Sequence, residues 1–379
     1  MRSSGISAIA YNKLKEYLGI KGGETRLFDL YQQLAEPELE VLDRLGGDVV
    51  PLSRLAPAFG IRSDRWKPGK LPDGSDCMVP YGFDPVENDR GDLEIIKDGH
   101  VVAKMPKGGL YYDTVYFPYA NAETIDDVDK IPITGISDEE LLYLKKEAQR
   151  LYETTDKAVM GLFGGNVLEW GQGEWGYEKF FLTMAENPDL VLYWLDKLVN
   201  VHMSDLKKYM DAVGEYINII QFSDDLGTQL APMISPNMYR EMIKPYHKKL
   251  YGYVRDNYPK AKVFIHCCGA IFDLLPDLID AGVEIINPVQ ISAAGMDPRK
   301  LKDNFGNDLS FWGGGADMQG FVNRNEIPAI KPHVRELIDI FPPGGGFVFN
   351  QVHNIQADIP PEKVMAIYEV ALEARKETQ

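Results

Sequence analysis

After residue 131 this chain settles into one repeating pattern: a short apolar run of strand length, then an amphipathic stretch of helical length. The apolar runs fall at 158–164, 217–222, 263–266, 283–286, 309–312 and 347–349. Between them the helix signals are regular. A predicted helix over 137–155 carries Asp138, Glu139 and Glu140 in its first turn, where negative charge complements the helix dipole. Asn187-Pro188 and Ser235-Pro236 each set a capping side chain before a proline suited to the first helical position. The segment AIFDLLPDLIDAG, from Ala270, and residues 360–376 supply two more helices. Buried strands alternating with amphipathic helices form a parallel sheet covered by helices. A further run at 48–52 makes seven strands, and an eighth is expected near the N-terminus or in the insert at 92–119. The expected fold is α/β, a closed (β/α)8 TIM barrel. A doubly wound open sheet is the second reading, weakened because no strand leads into a glycine-rich nucleotide turn.

The N-terminal third has a different texture. Apolar spacing in TRLFDLYQQLAEPELEVLDRLGG predicts a helical segment over about 1–45, stopped by Gly46-Gly47. Residues 92–119, DLEIIKDGHVVAKMPKGGLYYDTVYFPY, read as three short β runs, with turn signals at Asp98-Gly99 and Gly108-Gly109. This is a small antiparallel β insert. The 379 residues are thus expected to form one barrel domain over 1–379, carrying both features.

Charge and cysteine usage exclude several functions. A net charge of -17 repels phosphate, which argues against nonspecific nucleic-acid or anionic-membrane binding. The apolar runs are short and interrupted by charge, against the roughly 20 residues that a bilayer requires. The first residues lack a sustained apolar core, so no signal peptide is expected. Three cysteines, Cys77, Cys267 and Cys268, cannot make a disulfide framework, and the chain is expected to be cytoplasmic with reduced thiols.

In a barrel, the loops after the strand C-termini carry the chemistry. Here those loops are polar after six strands: Asn166 and Glu169; Ser223, Asp224 and Asp225; His266, Cys267 and Cys268; Asn287 and Gln290; Asp317 and Gln319; Asn350, Gln351, His353 and Asn354. One such loop would be an ordinary turn or cap. Six in succession point to a polar cavity at one face. His266 and Cys268 have the most specific chemistry. Residues i and i+2 of a strand share a face, so both point inward while Cys267 points to the helices and is assigned to packing. An imidazole and a thiolate side by side are half of a tetrahedral zinc site, although a buried free cysteine is also a common core residue. His353 is the candidate third ligand because it too follows a strand. Glu169, Asp224 and Asp225 are candidates to complete coordination or to act as acid and base. His100 falls in the β insert; His202, His247 and His333 lie in predicted helices, and Cys77 is assigned a structural role.

The segments FIHCCGAIFDLLPDLIDAGVEIINPVQ, LKDNFGNDLSFWGGGADMQ, SDDLGTQ, SPNMYREMIKPYHKKL and HNIQADIPPEKV resemble the uroporphyrinogen decarboxylase superfamily. They lie closer to its cobamide-dependent methyltransferase branch than to the decarboxylases, and the likeness runs from Val159 to the C-terminus. It implies a (β/α)8 barrel. In that branch a His-x-Cys-Gly motif, matched by His266, Cys268 and Gly269, supplies two zinc ligands. The third is normally a cysteine of the C-terminal loop, where this sequence has His353 and no thiol.

The resemblance therefore implies a zinc-dependent methyltransferase acting between a small methylated substrate and a corrinoid (cobalamin) carried by a partner protein. With no third cysteine, O-demethylation of a methoxylated compound is expected rather than transfer to a thiol. Glu169, Asp224 and Asp225 are the catalytic candidates; Asn287, Gln290, Gln319 and Asn350 are the substrate-binding candidates. Trp170, Trp175, Tyr111 and Trp312 are available to line an aryl pocket or to pack the core. Two rivals are a decarboxylase and a non-enzymatic corrinoid or tetrapyrrole binder. The decarboxylases carry an arginine-rich N-terminal motif, whereas Arg26, Arg44, Arg54, Arg62 and Arg65 are scattered here. A simple binder gives no reason for the thiol and imidazole pair.

Overall fold

The computed structural model describes residues 4–378, and the chain divides into two compact units. The first comprises Met1–Asp48, Leu55–Asp113 and Asn287–Gln379, the second Val49–Arg54 and Thr114–Ile286.

The second unit is built on four parallel strands. Val49–Leu52 pairs with Ala158–Gly164, which pairs with Ile219–Ser223, which pairs with Lys262–His266. Parallel neighbours need long crossovers, and helices Asp138–Thr154, Pro188–Val213 and Lys244–Asn257 supply them. Their caps are the ones legible in the sequence. Ser137 accepts from the Glu140 N–H and Asn187 from Leu190, while Ser235 accepts from Met238 in the turn Pro236–Met238 that precedes the third helix. Helix Pro188–Val213 buries Leu190, Val191, Trp194, Leu195, Leu198 and Val199, the three-to-four spacing of one apolar face. Phe222 packs against this helical layer at 4.8 Å from the Tyr251 ring, and against Phe163 of the neighbouring strand at 5.6 Å. Alternation along the strand then turns Gln221 and Ser223 to the opposite face.

The first unit holds a four-stranded sheet in the order Leu34–Glu36, Arg26–Asp29, Asp76–Pro80, Trp66–Lys70. A second group, Val86–Glu87, Leu93–Lys97 and His100–Met105, pairs antiparallel throughout. Asp98 and Gly99 turn its hairpin with φ of 50° and 81°, the left-handed pair that a two-residue turn requires. Strands Ser310–Trp312 and Phe347–Val348 pair in parallel, and helices Ala8–Tyr17, Ile327–Ile340 and Pro361–Thr378 bury apolar residues in the same core. With Ile285–Asn287, seven strands among the described residues belong to the parallel series, so the α/β class is the observed one.

The expected helical segment over 1–45 needs correction. Ala8–Tyr17 and Leu39–Arg44 are helical, but Arg26–Asp29 and Leu34–Glu36 are strands. Arg26 pairs with Met78 and Leu34 with Ser7, so partners distant in sequence override the local periodicity. The hairpin Trp66–Lys70 to Asp76–Pro80 is a further element beyond those expected, with Pro72-Asp73-Gly74 as its turn signal. Cys77 lies in that hairpin, and burial pushes its thiol up to about 11. Among the described residues no helix is long and apolar enough to cross a membrane.

Candidate metal centre

The C-terminal ends of the second unit's strands gather its polar side chains. Lys262–His266 runs in register with Ile219–Ser223, which sets His266 beside Ser223 on one face of the sheet. Two residues on, Cys268 places its Sγ 3.3 Å from His266 Nε2. Cys267 between them is fully buried; burial, with Asp225 and Asp224 adding, pushes its thiol well above the ordinary range. It belongs to the wall. Asp225 Oδ1 accepts the Cys268 N–H at 2.8 Å and lies 3.8 Å from His266 Nε2. Burial, then the Asp225 carboxylate, also push the Cys268 thiol well above its usual range, with Glu169 contributing.

Two glycines lock this cluster. Gly269 has φ of 90°, and a Cβ there would sit 2.3 Å from the Gly227 carbonyl carbon. A Cβ on Gly227 would meet the Cys268 carbonyl oxygen at 2.7 Å. Only two side-chain-free residues let the loops after both strands approach this closely, and the Ala270 N–H then donates to Thr228 O at 2.7 Å.

Asp224 behaves differently from its neighbour Asp225. Its side chain is completely buried, Oδ1 accepting the Glu169 N–H at 2.7 Å and Oδ2 the Leu168 N–H at 2.9 Å. His247 Nε2 donates to the same Oδ2 at 2.9 Å, and its Nδ1 stands 3.0 Å from the Tyr239 hydroxyl. Glu169 opens the helix Leu168–Trp175 and accepts a hydrogen bond from the Asn166 side chain. Behind it His202 Nε2 donates to Asn166 O at 3.0 Å, and burial lowers its pKa to about 4, which keeps the ring neutral.

These donors fit zinc. Zn–N near 2.0–2.1 Å and Zn–S near 2.3 Å put nitrogen and sulfur on one tetrahedral ion about 3.5 Å apart. His266 and Cys268 meet that spacing without rearrangement, and a bound cation is what would hold the buried thiol as thiolate.

The predicted substrate-binding residues and His353 lie in the first unit. Asn287 is fully buried, its amide donating to Ser4 Oγ at 3.1 Å and Trp312 O at 2.9 Å. Gln290 donates to Gln319 Oε1 at 3.3 Å. Asn350 accepts the Gln351 N–H, and the Gln351 side chain donates to His353 O and to Gly5 O. His353 has left-handed backbone, φ 58°. Of the aromatic candidates, Trp175 is core, stacked on Tyr119 at 5.4 Å; Trp312 is buried, Trp170 is exposed, and Tyr111 donates to Gln356.

The family model described as uroporphyrinogen decarboxylase (URO-D) matches residues 112–374. The chain belongs to the uroporphyrinogen decarboxylase family. A uroporphyrinogen decarboxylase of Prochlorococcus marinus (strain MIT 9515) is 24% identical over 267 residues, spanning 66% of this chain and 69% of that protein. A methyltransferase from Methanosarcina mazei superposes with a TM-score of 0.57 at 16% identity, covering 100% of this chain and 95% of that one. At that identity the second likeness establishes a shared fold.

Within this family member, sequence reasoning missed Gln221, His247 and Tyr239. Gln221 is a lone polar residue in an apolar strand, buried and donating to Ser223 Oγ at 3.4 Å, a signal that could have been read. His247 and Tyr239 sit at helical positions, and nothing local marks them as partners of Asp224. The chain takes a π turn over Tyr239–Ile243 just before Pro245, which has no N–H to donate.

Proposed function

We propose that this chain is a zinc-dependent methyltransferase that moves a methyl group between a small methylated substrate, such as a methoxyaromatic, and a corrinoid carried by a partner protein. The observation that carries the reading is the 3.3 Å approach of His266 Nε2 to Cys268 Sγ, with Asp225 on the facing loop. The methyltransferase function of the Methanosarcina mazei protein agrees with it. His266 and Cys268 would hold the metal, and His353 is the third ligand in this proposal. Zinc bound there would supply a Lewis acid for the oxygen from which the methyl group departs.

The chain's own groups do the rest. Asp225, by accepting the Cys268 N–H, fixes the direction of the thiol. Glu169 holds the proton that the departing oxygen receives, so Glu169 and Asp225 keep the acid–base and orienting roles. Gln290, Gln319 and Asn350 are proposed to bind the substrate's polar groups, whereas the amide of Asn287 is engaged with Ser4 and Trp312. A closed (β/α)8 barrel formed as one domain over 1–379, in the cytoplasm, belongs to the same proposal.

Metal analysis of the purified protein is the direct test. Wild type is expected to hold about one zinc per chain and Cys268→Ser almost none. Wild type without stoichiometric zinc would sink the reading. Methyl transfer with a cobalt(I) corrinoid and a panel of methoxyarenes, methanol and methylamines then identifies the donor. Release of carbon dioxide from a porphyrinogen, with no methyl transfer, would select the decarboxylase instead.

A further inference from the structure

The helix Leu168–Trp175 begins without a cap of its own: Val167, the residue before it, makes no side-chain hydrogen bond to the first turn. Its first two amides are satisfied from another strand end, by the two oxygens of Asp224. An anionic acceptor at that position meets both the unpaired N–H groups and the positive end of the helix dipole. A carboxylate with no solvent access needs further donors, and His247 supplies one through Nε2 at 2.9 Å. The imidazole is itself fixed, by Tyr239 at Nδ1 and by the Tyr251 ring stacked on it at 5.0 Å. Both Asp224 and His247 have zero exposure. The Asp224 main-chain N–H meanwhile donates to His266 O at 2.9 Å. One residue therefore ties the backbone of His266 to the amide of Glu169.

We propose that Asp224 is a positioning residue, backed by His247 and Tyr239, that sets Glu169 in place relative to the His266–Cys268 pair. Both of its oxygens are committed to donors inside the protein, so it touches no substrate and exchanges no proton with one. The role assigned to Glu169 rests on the methyltransferase reading; the positioning of its helix does not.

Two measurements separate these claims. Amide hydrogen exchange at Leu168 and Glu169 needs no activity. Asp224→Asn can accept from only one amide, and exchange at the pair is expected to rise about tenfold or more, with strand Lys262–His266 unchanged. Unchanged exchange at both amides would overturn the proposal. Tyr239→Phe removes only the far end of the chain, and a smaller rise at the same two amides is expected. It stands in if Asp224→Asn fails to fold, and wild-type exchange in Tyr239→Phe would then count against the proposal.

Kinetics supply the second arm. Asp224→Asn should keep wild-type zinc content and KM while kcat falls about tenfold to a hundredfold. Adding Asp224→Asn to Glu169→Gln should cost nothing further, because Asp224 acts through Glu169. Multiplicative losses in the double variant would refute that coupling. A wild type inactive in methyl transfer, with the exchange result as expected, would refute the methyltransferase reading and leave the positioning role standing.

Discussion

The loop after Lys262–His266 in the second unit and the loop after Phe347–Val348 in the first look alike in sequence, each polar and each holding a histidine. Their side chains do different things. In the second unit His266, Cys268 and Asp225 turn toward one another within 3.8 Å. In the first unit Asn354 and Gln351 sew the backbone together. Asn354 accepts the Gly5 N–H and donates to Gln32, each at 2.6 Å, and Gln351 joins Gly5 O to the Tyr368 hydroxyl. Asn354 and Gln351 are consumed in holding the backbone, which separates them from His353, the ligand proposed from the same loop.

The largest effect expected on this contrast comes from Gly269→Ala. The new Cβ would overlap the Gly227 backbone and force a left-handed φ on an alanine, for a loss of at least ~3 kcal/mol in urea unfolding and of zinc binding as well. A variant with wild-type stability and zinc would show that the loops are not locked.

Acid supplies the next test. Burial lowers the pKa of His202 to about 4, below the ~6.5 of an unfolded chain, so the unfolded state binds the extra proton. The neutral ring contributes stability that is complete above pH ~6.5 and lost as pH falls toward 4, on the order of 3 kcal/mol. His202→Gln should flatten that part of the profile, measured by urea unfolding from pH 7 to 4.5; an equally steep profile would remove His202 as its source.

Asn354→Ala should have the smallest effect, about 1–3 kcal/mol, through the orphaned Gly5 amide and Gln32. Stability equal to wild type would mean that the two loops do not differ in the way described.

Much of this was legible in the sequence. The parallel series follows from period and caps, and the pairing of His266 with Cys268 follows from strand alternation. The distinction between Asp224 and Asp225 was not legible. Adjacent identical residues on one loop carry no local mark of which is consumed, and the partners that decide it, Leu168, Glu169 and His247, lie 56, 55 and 23 residues away. The N-terminal hairpin was hidden for the same reason. Its partner strand begins at Asp76, and a short apolar window cannot distinguish period 2 from period 3.6 without it.

The two glycines that let the loops interlock also govern how this site can be remodelled. Each excludes a side chain because of the other's backbone, so neither loop can be lengthened, shortened or exchanged by itself. A graft of a relative's loop would have to carry residues 224–228 and 267–270 together as one part. Single side chains such as Ser223, in register with His266, and Gln221, bonded to it, can be exchanged without that constraint.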